Sequence, residues 1–542
     1  MKSFVSSIIC LLLLSSSFSQ QQAFTLQDSL RGSITPERAW WDLLFYDLDV
    51  SVNPEEKYIE GTNLIRYKVL DENQLMQIDL QEPLRITMVQ QEGKPLSFTS
   101  KGFAHFIELE EKQQIGDIGE IEISYAGTPK EAVNAPWDGG FSWKKDKNGK
   151  HFIATSCQGL GASVWWPNKD HMYDEVDSMA IRVTVPKDLV AVANGRLKNK
   201  EETSTTTTFD WYVTNPINNY GVNINIGDYV HFEDAYQGEK GELDLSYYVL
   251  RDNVEKAKKQ FEQVPLMLNA FEHWFGPYPF YEDSFKLVEV PYLGMEHQSS
   301  ITYGNGYQNG YLGVDLSGTG WGLKFDFIII HESGHEWFAN NITYKDIADM
   351  WIHEGFTAYS ENLYLDYNYG TKASEEYVLG TRRRIQNDRP IIGPYGVNKA
   401  GSSDMYYKGA NILHTLRQLL EDDEKWRQIL RGLNSRFYHQ TVTTGEIENY
   451  LSEKTGIDLT AFFEQYLRTT QIPVLEYRIS DDSITYRYTN IVSDFDMPVR
   501  IFLGEKEHWL FPEEDWKTEQ VENANQLVFD PNIYVLPMAR VE

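Results

Sequence analysis

The chain's most informative stretch is Phe325-Asp326-Phe327-Ile328-Ile329-Ile330-His331-Glu332-Ser333-Gly334-His335-Glu336, an apolar run with two histidines four residues apart. Residues four apart lie on one face of a helix, so His331 and His335 can both direct an imidazole nitrogen to one tetrahedral Zn²⁺. Glu332 faces the adjoining side, where an attacking water would sit. The pattern predicts a zinc hydrolase, although H-E-x-x-H also occurs by chance with histidines that only pack in a core.

A zinc hydrolase needs a third protein ligand and an open fourth position. The downstream stretch Trp351-Ile352-His353-Glu354-Gly355-Phe356 offers Glu354, nineteen residues after His335. That distance allows the first helix to end, the chain to turn back and a second helix to present the carboxylate. His353 is a rival ligand by residue type. Because adjacent helical residues point about 100° apart, we interpret His353 as structural or as a support for a ligand.

This ligand spacing, H-E-x-x-H-x18-E, and the motif W-I-H-E-G-F resemble the gluzincin pattern of the aminopeptidase N and leukotriene-hydrolase family. The resemblance implies one zinc ion per chain, held by His331, His335 and Glu354. It also implies zinc-dependent hydrolysis of peptide bonds, with removal of N-terminal residues from peptide substrates as the expected reaction. The short, three-domain bacterial type is expected, whereas larger relatives continue into a long helical domain above the active site.

Peptide hydrolysis on zinc requires a base and a donor for the developing oxyanion. Glu332 is placed to take a proton from the attacking water, which zinc makes more acidic. The stretch Tyr406-Tyr407-Lys408-Gly409 resembles the family's Y-x-K-G motif, whose first tyrosine is the oxyanion donor. The resemblance therefore assigns this role to Tyr406, with Tyr407 as the alternative.

Recognition of the substrate's free amine is expected at Leu293-Gly294-Met295-Glu296-His297, which resembles the family's G-x-M-E-N motif. The resemblance assigns Glu296 to the substrate ammonium. The backbone at Gly294 and Met295 would lie beside the peptide like an added strand. The chain departs from the family at His297, which replaces the asparagine and could donate to a substrate carbonyl, and at Leu293, where many relatives have a small residue.

Further residues near the site follow from the same resemblance or from metal chemistry. Gln158, in Thr155-Ser156-Cys157-Gln158-Gly159, matches a position in the family's N-terminal domain that lines the first side-chain pocket, although it could also be a loop contact only. Histidines that bind a metal usually pass their other ring N–H to a carboxylate. Glu336 and Glu361 are the nearby acids that could accept these hydrogen bonds.

The N-terminal residues and the composition indicate an exported protein. Lys2 precedes the apolar run Ile8–Leu14, and small residues follow, as in a secretory signal over residues 1–19. Only Cys157 remains after removal of this signal, so no intrachain disulfide can form. We expect a periplasmic or secreted bacterial protein without membrane insertion after the signal is removed, and an uncleaved membrane anchor is the alternative. The formal net charge of −31 argues against nucleic-acid partners.

The periodicity of the chain predicts a multidomain α+β fold. Short alternating runs separated by Gly, Pro and Asn indicate an N-terminal β domain over residues 20–240, which resembles the family's saddle-shaped domain. Helical periodicity then dominates residues 241–472, which resemble the family's thermolysin-like catalytic domain. Alternation returns over residues 473–542, and it predicts a small C-terminal β domain.

Three alternatives to an aminopeptidase remain open at the level of sequence. A zinc endopeptidase would result if Leu293 and His297 reshape the amine end of the cleft. An epoxide hydrolase could use the same zinc, since some relatives combine both activities. A non-catalytic binding protein is disfavoured because no ligand, base or tyrosine has been lost.

Overall fold

The computed structural model describes residues 24–480 and 482–540. The predicted signal segment, residues 1–19, lies outside these residues. Strands come first along the chain, helices dominate the middle, and strands return at the end. The predicted α+β class, with a helical region between two β regions, is confirmed.

The N-terminal region begins with two short helices, α1 (Leu26–Gly32) and α2 (Pro36–Ala39), and continues as strands. The strands are β1 (Trp41–Asn53), β2 (Tyr58–Val69), β3 (Leu75–Asp79), β4 (Arg85–Gln91), β5 (Lys94–Pro95), β6 (Ser97–Lys101), β7 (Ala104–Glu108), β8 (Ile118–Gly127), β9 (Gly140–Lys145), β10 (His151–Ser156), β11 (Ser178–Pro186), β12 (Val190–Ala193), β13 (Arg196–Glu202), β14 (Thr206–Val213), β15 (Ile224–Gly227), β16 (Tyr229–Gly238) and β17 (Gly241–Leu250).

Strands β1 to β15 of this region form three sheets. The largest has eight strands in the order β13-β14-β11-β1-β2-β8-β4-β5, and smaller sheets have the orders β12-β15-β10-β9 and β3-β7-β6. Side chains of β11 alternate between buried and half-buried positions, as expected for a strand with one face on the core. The buried faces share one apolar core that includes Trp41, Tyr46 and Trp166.

The middle region contains nine further helices and five strands. The helices are α3 (Val254–Gln260), α4 (Gln263–Phe275), α5 (Phe327–Gly334), α6 (Trp351–Tyr369), α7 (Thr371–Arg382), α8 (Tyr407–Leu420), α9 (Asp423–Arg436), α10 (Thr444–Thr455) and α11 (Thr460–Arg468). The strands are β18 (Phe285–Glu289), β19 (Gly294–Met295), β20 (Ile301–Tyr303), β21 (Ile342–Tyr344) and β22 (Gln440–Val442). Short 3₁₀ turns occur at Ala162–Val164, Asn219–Gly221, Arg251–Asn253, Tyr281–Asp283, Trp321–Leu323, Ile347–Asp349, Ser403–Met405 and Ala524–Gln526.

A five-stranded sheet of order β16-β17-β18-β20-β19 leads into the helices, and β19 forms one of its edges. The predicted domain boundary at residue 240 falls in the turn between β16 and β17, two strands that pair along their length. This sheet therefore joins strands from both sides of that position. The domain boundaries stay a prediction.

Helices α5 and α6 carry the histidine and glutamate motifs and pack against each other. Asp326 caps α5 by accepting hydrogen bonds from the backbone N–H groups of Ile328 and Ile329. Helix α5 ends at Gly334. Glycine at this position allows α6 to approach closely, because a Cβ there would lie 2.5 Å from Ser360 Oγ. The chain then makes a π-type turn over Glu336–Asn340 and returns through β21 to α6.

The C-terminal strands are β23 (Val474–Ser480), β24 (Ser483–Thr489), β25 (Val499–Leu503), β26 (Lys506–Leu510), β27 (Lys517–Gln520), β28 (Leu527–Phe529) and β29 (Leu536–Ala539). They form sheets of order β27-β24-β23-β29 and β26-β25-β28. Their buried side chains belong to the same apolar core as the helices, for example through Tyr466 and Tyr534, whose rings stack 5.7 Å apart. Among the residues described, no helix is both long and apolar enough to cross a membrane.

Candidate metal centre and substrate cavity

A cavity of about 560 Å³ lies between the N-terminal region and α5, α6 and α8. It is lined by nearly all of the residues that the sequence assigned to a site: Gln158, Gly294, Met295, Glu296, His331, Glu332, His335, Glu354 and Tyr406. His297 is the one predicted site residue that does not line the cavity. Among the described residues, the lining of the cavity contains no lysine or arginine.

The three predicted metal ligands meet at one side of this cavity. His331 lies on α5, His335 directly follows that helix, and Glu354 lies in the first turn of α6. One ligand atom from each residue lies within 4.8 Å of those of the other two. Glu354 Oε2 is 3.7 Å from His331 Nε2 and 3.4 Å from His335 Nε2. Two imidazoles and a carboxylate directed to one point are a typical zinc donor set.

The remaining ring nitrogens of both histidines have partners that fix their orientation. His331 Nδ1 lies 2.7 Å from Glu361 Oε1, and the other oxygen of Glu361 accepts a hydrogen bond from the Tyr377 hydroxyl. His335 Nδ1 lies 3.0 Å from the carbonyl oxygen of Phe338. With Nδ1 held in this way, Nε2 of each ring is directed at Glu354 and is free to bind a metal.

Glu354 has the properties of an ionised ligand. Burial raises its pKa, but His335 and His331 outweigh burial and hold the pKa well below its usual range. Its Oε2 atom is buried and has no hydrogen-bond partner. A buried carboxylate oxygen without a partner is costly, and a cation at the point shared with the two histidines would relieve that cost. The residues present therefore fit a zinc ion.

His353, the rival ligand by type, serves the backbone instead. Its Nε2 accepts a hydrogen bond from the backbone N–H of Tyr344 at 3.0 Å, and the two rings lie 4.1 Å apart. The ring is fully buried and is not among the residues that line the cavity. This placement agrees with the structural interpretation of His353.

Glu332 lies beside the metal ligands and lines the cavity. One carboxylate oxygen of Glu332, one of Glu296 and one ring nitrogen of His335 all lie within 4.8 Å of one another. Burial is the largest cause that raises the pKa of Glu332 to about 7, and the carboxylate of Glu296 adds to it. A carboxylate with a pKa near neutrality can both accept and return a proton.

Tyr406 and Tyr407 both line the cavity but have different neighbours. Tyr406 precedes α8, and its ring is nearly parallel to that of His331 at 6.0 Å. Burial and the negative charge of Glu354 raise the pKa of Tyr406 well above 10, so its hydroxyl stays protonated and can donate. The pKa of Tyr407 is raised by burial and by Glu361, which lies behind His331. Tyr406 is thus the tyrosine on the metal side.

Glu296 follows the edge strand β19 and is almost fully buried. Burial is the main reason that its pKa is raised, and Glu354 contributes, while His335 acts in the opposite direction. The Gln158 side chain crosses from the N-terminal region and donates to Glu296 Oε1 at 2.6 Å and to Glu354 Oε1 at 3.3 Å. Gln158 is therefore more than a loop contact, because it joins the amine-binding candidate to a metal-ligand candidate.

Strand β19 pairs with β20 on one side only. Gly294 pairs with Tyr303 and Met295 pairs with Thr302. Gly294 packs so closely on α5 that a Cβ there would lie 2.6 Å from Ile328 Cγ2. Glycine at residue 294 thus allows this sheet edge to pack closely against the helix that carries His331.

Two predicted residues do not meet the expected partners. The His297 ring is fully buried, its Nδ1 lies 3.3 Å from Thr302 Oγ1, and burial lowers its pKa to about 3. Glu336 accepts hydrogen bonds from the Tyr278 hydroxyl and the backbone N–H of Ser299 and not from His331 or His335. Of the two acids proposed to support a histidine, only Glu361 does so.

The support for His335 was not predicted from the sequence. Its Nδ1 contacts the Phe338 carbonyl and lies 3.0 Å from Thr357 Oγ1. Thr357 is three residues after Glu354 on α6, so the two side chains share a helix face, and this spacing could have indicated it. The carbonyl of Phe338 becomes available only because the backbone leaves helical geometry there, which no side-chain pattern signals.

Two family models match the chain. The model described as the peptidase family M1 domain matches residues 259–466, and the model of the peptidase M1 N-terminal domain matches residues 44–220. Among solved structures, an M1 zinc metallopeptidase from Deinococcus radiodurans has a TM-score of 0.69 and 20% identity, and the match covers 82% of this chain and 98% of that one. A form of that enzyme bound to a Tyr-Ser-Ala substrate has a TM-score of 0.67.

The curated relatives are matched over a smaller share of their own length. Probable aminopeptidase 2 of Sulfurisphaera tokodaii is 22% identical over 420 residues, which cover 74% of this chain and 51% of the relative. Leukotriene A-4 hydrolase of Xenopus laevis is 23% identical, covering 64% of this chain and 58% of the relative. The chain spans about half the length of the aminopeptidases that it matches. The two family models together match well over half of its residues, and the chain therefore belongs to peptidase family M1.

Proposed function

We propose that this protein is a zinc aminopeptidase that removes single residues from the N-terminus of peptides. One observation carries the proposal: a three-residue metal-ligand set, a separate buried acid next to it and a further acid at an unpaired strand edge all face one cavity. Hydrolysis needs the first two features, and measurement of a free amine needs the third. Its relatives include proteins named as aminopeptidases, which supports the same reaction.

The metal would be held by His331, His335 and Glu354, one zinc ion per chain. When bound there, zinc polarises the scissile carbonyl and makes a nearby water more acidic. Membership of family M1 implies this metal. The hydrogen bonds that the two Nδ1–H groups donate to Glu361 and to the Phe338 carbonyl keep both imidazoles in the tautomer that a metal requires.

Proton transfer would be the task of Glu332. Its buried carboxylate, which lines the cavity beside the metal ligands, takes a proton from the attacking water and passes it to the leaving amine. The Tyr406 hydroxyl donates a hydrogen bond to the oxygen on which negative charge develops. Tyr407 lies toward Glu361 and is less suited to this role.

The free amine would bind at Glu296, with the Gln158 amide holding that carboxylate in place. Among the described residues, the lining of the cavity presents three carboxylates and no lysine or arginine, so an ammonium group is favoured. The peptide backbone would extend β19 as an added strand along Gly294 and Met295. An amine anchored beside the metal fixes cleavage after the first residue.

Digestion of a defined peptide tests the proposal. We expect mass spectrometry to record stepwise loss of single N-terminal residues, and we expect the N-acetylated form of the same peptide to resist cleavage. Early internal fragments, with free and acetylated peptides cut equally well, would instead identify an endopeptidase. Absence of cleavage by a zinc-loaded protein would contradict both peptidase assignments.

We further propose that the protein is exported to the periplasm or secreted after removal of residues 1–19. The support is the charged-apolar-small pattern of that segment and the lack of a second cysteine beyond it. Cys157, the remaining cysteine, is a buried thiol whose pKa is raised by burial. N-terminal sequencing of protein recovered from a periplasmic fraction and from the medium would test this, and an intact Met1 in the cytosolic fraction alone would refute it.

A further inference from the structure

Gln158 belongs to a short segment, residues 157–161, whose backbone is held in an unusual conformation. Gly159 and Gly161 both have positive φ angles, 72° and 97°. Within the segment, the Gly161 N–H bonds to the Cys157 carbonyl at 2.6 Å and the Leu160 N–H to the Gln158 carbonyl at 2.8 Å. Two of the five residues thus have positive φ angles. Because glycine readily adopts other backbone conformations, the conformation of this turn depends on contacts from outside the segment.

Arg31, on helix α1, supplies one of these contacts. Its guanidinium donates to the Leu160 carbonyl through Nη1, and the same nitrogen lies 3.4 Å from Asp170 Oδ2. The side chains of Arg31 and Asp170 are only 11% and 6% exposed, so this ion pair is not a solvated surface contact. A Cβ on Gly161 would overlap the guanidinium, which explains why the turn has no side chain there.

Helix α1 also attaches the turn to the catalytic region. The Asn398 N–H donates to the Asp28 carbonyl at 3.2 Å, and the Asn398 side chain donates to the Gly159 carbonyl at 3.0 Å. Gly32 packs directly on Val397, where a Cβ would overlap the backbone. Residues 26–32 precede both ranges matched by the family models, which begin at residues 44 and 259. Helix α1 therefore lies outside the matched ranges, whereas the turn that it contacts lies within the range matched by the N-terminal domain model.

We propose that Arg31 is a positioning residue for substrate amine recognition: it holds the 157–161 turn so that the Gln158 amide stays bonded to Glu296. The inference rests on the proposed aminopeptidase function, because it assigns Glu296 to the substrate ammonium. Arg31 does not line the cavity, so its influence on the substrate amine would pass through this turn. Loss of Arg31 should thus weaken amine binding while metal binding and chemistry persist.

A double-mutant cycle on Arg31 and Gln158 separates this role from a general effect on folding. Arg31→Met should raise KM for a free-amine tripeptide about tenfold, with kcat within about threefold and zinc content unchanged. Gln158→Ala should have a similar effect, and Arg31→Met in the Gln158→Ala background should add less than about twofold. Multiplicative effects of the two changes, or no effect of Gln158→Ala, would overturn the proposal.

Two further variants sharpen the cycle. Arg31→Lys keeps a charge near Asp170 but loses the guanidinium fork, so its KM should lie between those of the wild type and Arg31→Met. Arg66→Met is the matched control, since it breaks an exposed ion pair with Glu120 in the same region, 2.6 Å long and away from the turn. It should leave KM unchanged.

Hydrogen exchange tests the positioning role without any turnover. Backbone amides of residues 157–161 should exchange faster in Arg31→Met than in the wild type, while those of α5 and α6 stay as protected as before. Unchanged exchange in the turn would overturn the proposal. Failure of the wild type to release N-terminal residues would contradict the proposed function instead, and the exchange result would still decide whether Arg31 holds the turn.

Discussion

The metal side of the cavity (His331, His335 and Glu354) and its amine side (Glu296 and Gln158) are built differently. On the metal side, the ligands lie on α5, directly after α5 and on α6, and Nδ1 of each histidine has a partner that fixes its ring. On the amine side, Glu296 follows a two-residue edge strand, and its side-chain partner Gln158 comes from the N-terminal region. Metal binding is therefore local to one helix pair, whereas recognition depends on how two regions pack.

The largest effect should come from breaking the metal side itself. Replacing His331, His335 or Glu354 with Ala removes one of only three protein ligands, so we expect most of the bound zinc and essentially all activity to be lost. Elemental analysis of the purified variants measures the metal directly. Full zinc occupancy in all three variants would contradict the assignment, and circular dichroism would confirm that each variant is folded.

The next effect separates chemistry from metal binding on the same helix. Glu332→Gln keeps the size of the side chain but cannot accept a proton, so we expect zinc to remain and kcat to fall roughly 10²–10⁴-fold. The matched comparison is His335→Ala, which should lose zinc. A zinc-replete Glu332→Gln protein with near-normal kcat would exclude Glu332 as the base.

The two adjacent tyrosines give a comparison within a single turn of chain. Tyr406→Phe should retain metal and lower kcat roughly 10²–10³-fold, as for removal of one oxyanion donor. Tyr407→Phe should change kcat much less, because the carboxylate that raises the pKa of Tyr407 is Glu361, whereas Glu354 is the one that acts on Tyr406. If the larger loss is measured for Tyr407→Phe, the motif alignment is wrong by one residue.

The sequence predicted the metal side well because its geometry is local. Helical spacing alone brings His331 and His335 to one face, and the distance to Glu354 fits a turn and a second helix. Glu361 is seven residues after Glu354, two helical turns along the same face of α6, so it too could be predicted to lie behind the site. Glu336 could not be excluded, because nothing in the sequence shows that α5 ends at Gly334 and that the backbone then turns away.

The amine side was predicted less completely because it depends on tertiary contacts. Gln158 and Glu296 are 138 residues apart, and no periodicity relates them. The alignment with the family motif placed His297 in the cleft, but its ring lies against Thr302 on the neighbouring strand β20. The side to which the ring turns is decided by strand pairing and packing, which the motif does not contain.

Removing the carboxylate of Glu296 should weaken recognition more than catalysis. Glu296→Ala should lower kcat/KM for free-amine peptides roughly 30–150-fold. This corresponds to a loss of about 2–3 kcal/mol of transition-state stabilisation, within the range for a hydrogen bond to a charged group. Acetylated peptides lack the ammonium, so their already low kcat/KM should change little and the two substrates should become more alike. An equal fall in kcat/KM for both substrates would indicate that Glu296 supports the metal side instead.

The smallest effect is expected at His297, where the family motif and the structure differ. His297→Asn introduces the asparagine of the motif that residues 293–297 resemble. Because the ring is buried against Thr302 and does not line the cavity, kcat/KM for free-amine peptides should stay within about threefold. The buried ring is replaced by a smaller polar group, so the free energy of unfolding should fall by roughly 1–3 kcal/mol, measurable by urea denaturation. A tenfold change in kcat/KM, or a changed preference between free and acetylated peptides, would place His297 in substrate binding after all. It would also show that the amine side reaches beyond the pair of Glu296 and Gln158.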